Sequence, residues 1–240
     1  VDMRGDGWRE KDFHGYDTVF HVAGIAHKRM GKSKRYLYYK INRDLTIKVA
    51  QKAKKDGVKQ FINMSSMSVY GATDGVITKK TKPVPVTDYG KSKLQADEEL
   101  TKLQDENFLV AIVRPPMVYG KGCKGNYHLL EQYIRIFPVF VKIKNERSMI
   151  YVKNLVEFIR YLVNENKEGV FFPQNQEYVC TSTMAELIAL VNGKRIIFIP
   201  FLGKVIKRIN YNVYQKMFGN LRYEKVDLCN YVNFEKTICK

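Results

Sequence analysis

Three runs in the first half of the chain are almost wholly apolar: DTVFHVAG (Asp17–Gly24), VKQFINMSS (Val58–Ser66) and FLVAIVRP (Phe108–Pro115). They are rich in β-branched and aromatic residues and scarcely alternate, the pattern of strands buried on both faces of a parallel sheet. Between the first two, Ile41, Leu45, Val49 and Ala53 recur every four residues, and Gly57 follows as a helix-ending glycine. Between the second and third, Tyr89, Lys93, Ala96, Leu100 and Leu103 trace one face of a second helix. Strand, helix, strand, helix, strand implies right-handed crossovers and a parallel sheet covered by helices.

After Pro116 the pattern changes. EYVCTSTMAELIALVNG opens like a strand, then Thr183 and Glu186 have the spacing of a capping box for a helix that Gly193 ends. Short amphipathic pieces rich in Tyr and Asn follow, reading as a smaller α+β region. No internal repeat or low-complexity linker interrupts the chain.

Composition adds little to the fold and something to the class. The 240 residues are 45% hydrophobic and carry a net charge of +17, a globular composition with ample core. Lys supplies 29 of the 41 basic residues; that bias reads as a solvated surface, and polyanion binding is the alternative it leaves. Cys123, Cys180, Cys229 and Cys239 are scattered, and His14, His21, His27 and His128 stand at no zinc-ligand spacing with them. A reduced, cytoplasmic chain without metal is the expectation. The most apolar stretch, Ile196–Ile206, is too short to span a bilayer and contains Pro200 and Gly203.

The candidate chemistry lies in DYGKSK, where Tyr89 and Lys93 stand one helical turn apart. With 16 Tyr and 29 Lys in 240 residues, about two such pairs arise by chance, and there are two. Tyr36–Lys40 follows a basic loop with no serine-ended strand before it and reads as structural. Tyr89 instead opens a helix just after a strand ending in Ser65 and Ser66, at the rim where open α/β sheets bind ligands. A phenol titrates near 10, and a neighbouring ammonium lowers that value; Lys93 is placed to supply it. GKGCKG (Gly120–Gly125) fits G-x-G-x-x-G, but it trails the Phe108–Pro115 run by Pro116 and further residues, whereas a phosphate turn follows its strand directly.

The set HVAG, FINMSSMSVYG, YGKSK and RPPMVYG, in that order, resembles the extended short-chain dehydrogenase/reductases, more narrowly the NAD-dependent epimerase/dehydratase branch acting on nucleotide sugars. The resemblance implies a Rossmann-like doubly wound parallel sheet with its first β-α-β unit missing, and therefore an N-terminally truncated chain. It implies a partial NAD(P)-binding domain over residues 1–116 and a mainly substrate-binding region over 117–240. By the same resemblance Tyr89 is the catalytic base and Lys93 holds the nicotinamide ribose while lowering the phenol's pKa. Ser66 hydrogen-bonds the reacting sugar hydroxyl. Asp2 meets the adenine, Val22, Ala23 and Gly24 line the cofactor, and Pro116 lies near the nicotinamide. Asn42 reads as structural; Asn126 and Arg147 contact the substrate diphosphate.

Family 4,6-dehydratases carry an Asp-Glu pair where this chain has Met67 and Ser68, so dehydration is not expected. Met117 stands where many epimerases have an asparagine. That departure counts against an epimerase without favouring a reductase; the resemblance as a whole implies a nucleotide-sugar 4-epimerase using NAD on a UDP-hexose. A 4-ketoreductase of the same family and a non-catalytic basic binding domain stand as alternatives, and NADP stays open beside NAD. A homodimer through the helices carrying Asn42–Gly57 and Tyr89–Leu103, with no nucleic-acid partner and no membrane span, completes the expectation.

Overall fold

The computed structural model describes residues 1–26, 31–225 and 237. The chain divides into two compact units, each discontinuous in sequence. Unit 1 comprises Val1–Gly71, Pro83–Pro115 and Ile159–Phe172; unit 2 comprises Ala72–Lys82, Pro116–Phe158 and Pro173–Lys240.

Unit 1 is a Rossmann-like α/β layer. Its strands are β1 (Thr18–His21), β2 (Gln60–Met64), β4 (Leu109–Val113) and β8 (Gly169–Phe171), all parallel and hydrogen-bonded in the order β1-β2-β4-β8. A continuous helical stretch joins β1 to β2: α1 (Tyr36–Tyr38), a π-helical segment (Tyr39–Leu45) and α2 (Thr46–Lys55). Helix α3 (Asp88–Leu103) joins β2 to β4, and Thr87 caps it by accepting from the Gly90 N–H at 3.1 Å.

The expected strands are present but shorter, and β1 is not buried on both faces. It is an edge strand, with Phe20 41% exposed, whereas β2 and β4 at the centre are almost wholly buried. Val49, Ala50, Ala53, Phe61, Leu100 and Phe108 pack into one core with Trp8 and Phe13. Full burial of a side chain such as Phe61 contributes about 1.5–3 kcal/mol.

Unit 2 holds the remaining pieces. β3 (Gly75–Ile77) pairs with β10 (Leu221–Tyr223), β5 (Met117–Tyr119) with β7 (Met149–Tyr151), and β6 (Val139–Val141) with β9 (Ile197–Ile199), each pair parallel. Its helices are α4 (Asn126–Ile136), the first half of α5 (Val152–Asn164), α6 (Thr181–Val191), α7 (Leu202–Ile209) and α8 (Tyr211–Phe218). Two expectations need correction here. Helix α6 starts at Thr181 after Cys180, so Thr183 already lies inside it and makes no capping box. Gly120 directly follows β5, so the separation held against the glycine turn Gly120–Gly125 is not there; the three residues of β5 are too few for the apolar pattern to show.

Candidate active site

Unit 1 assembles the site at the C-terminal ends of β1 and β2. Beyond β2 the chain stays tied to the neighbouring strand's extension: the Ser65 N–H donates to Val113 O at 2.7 Å and the Met67 N–H to Pro115 O at 3.0 Å. Ser66 then caps a 3-10 turn, Met67–Tyr70, its hydroxyl accepting from the Ser68 N–H at 3.1 Å. Gly71 ends the turn in the left-handed region (φ 65°), where a Cβ would clash with Val84 O.

The first turn of α3 lies against this segment because Gly90 has no side chain. A Cβ there would stand 2.5 Å from Ser68 O and 3.1 Å from Pro85 Cβ. Tyr89 is thereby held within hydrogen-bond reach of Ser66, with the Tyr38 ring edge-on at 6.1 Å. Burial pushes the Tyr89 phenol upward, with the Ser66 hydrogen bond acting the other way. The expected lowering by Lys93 is therefore absent from the resting site, where desolvation dominates.

Lys93 is buried and donates to Met64 O at 2.8 Å, at the last residue of β2. Burial lowers its pKa to about 8, against an upward pull from Asp97. A Cβ built on Gly24 would lie 3.4 Å from Lys93 Nζ and 3.0 Å from Asn42 Oδ1, so the backbone after β1 passes close to both. Asn42 is fully buried in the π-helical segment. It accepts from the Ile25 N–H at 2.8 Å and donates to Ile25 O at 3.0 Å and to Ser92 Oγ at 3.2 Å. The π-turn aims Asn42 inward, where it ties the Ile25 backbone to helix α3.

Asp97, one turn beyond Lys93, was not singled out from the sequence. It is 1% exposed, accepting from Asn63 Nδ2 at 3.1 Å, Ser65 Oγ at 2.8 Å and Arg114 Nε at 3.0 Å. Arg114 also donates to Tyr70 Oη at 2.8 Å. Burial pushes the Asp97 carboxyl up and Arg114 opposes it. The acid on the apolar stripe of α3 was the available signal. His21, stacked on Phe61 and 3.1 Å from Thr46 Oγ1, is held down to about 4 by burial and by Lys93, and is therefore neutral at pH 7.

An open groove of about 1540 Å³ runs beside β1, with Asp2, Trp8, Phe20, Val22, Gly24 and Tyr39 on its walls. Asp2 is exposed and bonded to Arg4 at 2.8 Å, which holds its carboxyl down to about 2. Val22 is exposed, and Ala23 and Gly24 follow it along the rim.

The other expected residues belong to unit 2. Pro116 is buried just before β5. Asn126 is exposed at the first position of α4. Arg147 is half-buried, its guanidinium donating to Gly219 O at 2.9 Å while its backbone bridges to Val179. Burial lowers its pKa. Cys229, Cys239 and His27 lie outside the described residues.

The family model for the NAD dependent epimerase/dehydratase family matches residues 1–178. The UDP-glucose 4-epimerase of Vibrio cholerae is 31% identical over 215 residues, covering 84% of this chain and 63% of that protein. The N-acetyl-alpha-D-glucosaminyl-diphospho-ditrans,octacis-undecaprenol 4-epimerase of Escherichia coli O157:H7 is 37% identical over 174 residues, 70% of this chain and 52% of that one. Among solved structures, UDP-glucuronic acid 4-epimerase from Bacillus cereus in complex with NAD aligns with a TM-score of 0.73 at 17% identity, over 93% of this chain and 72% of that chain. The last likeness concerns the fold. The chain belongs to the NAD dependent epimerase/dehydratase family, and it spans less than two thirds of the length of these two curated relatives.

Proposed function

We propose that the protein is a 4-epimerase of nucleotide-linked hexoses, with a UDP-hexose as substrate. The observation that carries this reading is the meeting of Ser66, Tyr89 and Lys93 at the ends of β1 and β2. Ser66 holds the sugar's 4-hydroxyl, and Tyr89 takes its proton as the C4–H bond breaks with its electron pair. Tyr89 returns that proton after the 4-keto sugar has presented its other face. The phenol is buried and disfavours charge, so the ammonium of Lys93 is needed to stabilise the phenolate.

The residues fit the nicotinamide end of a dinucleotide: Gly24 leaves the close approach that a Cβ would fill, beside Lys93 Nζ. Lys93 and Tyr89 would hold the ribose, Val22–Gly24 the ring, and Asp2 the adenine end. Bound NAD supplies the acceptor and donor of the C4 hydride. Asn126 at the start of α4 would meet the diphosphate, as helix N-termini meet anions, with Arg147 as its second contact. Pro116 completes the nicotinamide side, and a homodimer through α2 and α3 completes the proposal.

Met67 and Ser68 offer no carboxyl group beside Ser66, which disfavours a dehydratase. The test uses the protein expressed from its natural reading frame, with NAD, a panel of UDP-hexoses and a polyprenyl-diphosphate-linked N-acetylglucosamine. Tyr89→Phe should lower C4 interconversion by about 10²–10⁴-fold. NAD(P)H oxidation with a 4-keto sugar and no epimer formed would move the assignment to a ketoreductase.

A further inference from the structure

Unit 2 carries a surface that this reading leaves unused. Between Glu186 and Glu224 the chain contains no Asp or Glu, while Lys194, Arg195, Lys204, Lys207, Arg208 and Lys216 all fall there. No carboxylate within the stretch can neutralise them. In the same stretch large apolar side chains face solvent: Phe201 is 66% exposed, Val205 42% and Ile209 79%.

The geometry of α7 explains how both occur together. At about 100° per residue, Leu202 and Ile206 occupy one arc and pack on the unit 2 core with Tyr119, Phe140 and Val141. Gly203 lets the helix approach Val141, whose side chain would stand 3.0 Å from a Cβ there. Next around the helix come Ile209, Val205 and Phe201, all outward, and then Arg208, Lys204 and Lys207. Lys207 also lies over the rings of Tyr211 and Tyr214, at 5.8 and 5.7 Å, in the adjoining α8. The core thus takes about half of the apolar arc, and the exposed half borders directly on a basic face.

We propose that α7, with Phe201 at its start, lies on an anionic lipid surface, its outward apolar residues among the acyl chains and its basic residues at the headgroups. An interfacial helix has this composition, with apolar bulk on one side and Lys or Arg on the other. At eight residues α7 is too short to cross a bilayer, so its own contact is interfacial. An exposed apolar arc that borders Arg208, Lys204 and Lys207 along the helix fits a negatively charged bilayer better than a neutral partner or a second copy with the same basic face.

The test is vesicle flotation of the full-length protein with phosphatidylcholine alone and with phosphatidylglycerol added. Binding should require phosphatidylglycerol and weaken with salt. Each basic residue near such a surface contributes roughly fivefold in affinity, so Lys204→Gln, Lys207→Gln and Arg208→Gln combined should weaken it on the order of 100-fold. Phe201→Ser with Ile209→Ser should also release the protein although its charge is unchanged. All these positions are exposed, and circular dichroism should show the fold intact. Lys79→Gln with Lys80→Gln and Lys82→Gln, on exposed lysines elsewhere in unit 2, should change little. Equal loss in that control, undiminished binding of the Phe201/Ile209 variant, or a dimer broken by Ile209→Ser without vesicle binding would each overturn the proposal.

Discussion

Asp97→Ala should have a large structural effect, and its size follows from the contacts. The carboxylate accepts three hydrogen bonds, from Asn63, Ser65 and Arg114, and its ion pair with Arg114 is almost completely buried, at 9% and 2% side-chain exposure. Removing one partner of a buried pair leaves the other charge in a desolvated site, at a cost of about 3–5 kcal/mol. Against a typical domain stability of about 5–15 kcal/mol, that is a large fraction. Asp97→Asn should cost about half as much, because one oxygen remains to face Arg114 and Ser65. The new amide would face Asn63, whose Oδ1 has no partner among the described residues, so that side chain can turn and accept from it. Asp97→Asn combined with Arg114→Met, which removes both charges, should recover part of the loss. Urea unfolding of the four proteins provides the measurement. A loss below about 1 kcal/mol for Asp97→Ala, or equal losses for Ala and Asn, would refute the reasoning.

Other consequences can be checked alongside. Between about 8, where burial holds Lys93, and its ordinary 10.5, the unfolded chain keeps the lysine proton and the folded site has released it. Stability should therefore rise with pH across that window, by up to about 3 kcal/mol at 1.36 kcal/mol per pKa unit, and the full cost of the buried ammonium should be present below pH 8. Lys93→Met should flatten that rise in unfolding experiments at successive pH values; an unchanged slope would contradict the assignment. Gly90→Ala should displace the first turn of α3 from Ser66–Tyr70, costing about 1–3 kcal/mol and lowering kcat more than an equally destabilising core substitution does. Equal effects on kcat would show that the close approach at Gly90 does not position Tyr89.

The elements carrying the site were legible because their patterns are local. The central strands β2 and β4 are continuous apolar runs, and α3 has one apolar stripe, so type and order could be read without tertiary information. β1 was read as fully buried because Phe20 gives the same signal on an exposed edge as in a core. β8 is three residues long and follows a long excursion through unit 2, so no periodicity marked it as the fourth strand of the sheet. Thr183 and Glu186 had capping-box spacing, but the backbone enters α6 at Thr181, and side-chain spacing alone does not fix where a helix begins.

Within the candidate site, the Tyr89–Lys93 spacing and the serine-ended strand mark residues that the fold brings close together. The electrostatics did not follow, because desolvation depends on how much protein surrounds each group. Burial raises Tyr89 and lowers Lys93, effects opposite to what two groups one turn apart suggest in water. Asp97 and Arg114 lie 17 residues apart and meet only when α3 packs on the sheet.

The central claim is that hydride leaves and returns to the same carbon while Tyr89 moves the hydroxyl proton. The most direct measurement is a single conversion of a UDP-hexose deuterated at C4 by the natural-length protein with NAD, with the label followed by mass spectrometry and NMR. The account predicts a C4 epimer that keeps its deuterium at C4, formed in ordinary water and lost in Tyr89→Phe. An epimer whose C4 deuterium has exchanged with solvent, or one formed equally fast by Tyr89→Phe, would contradict it.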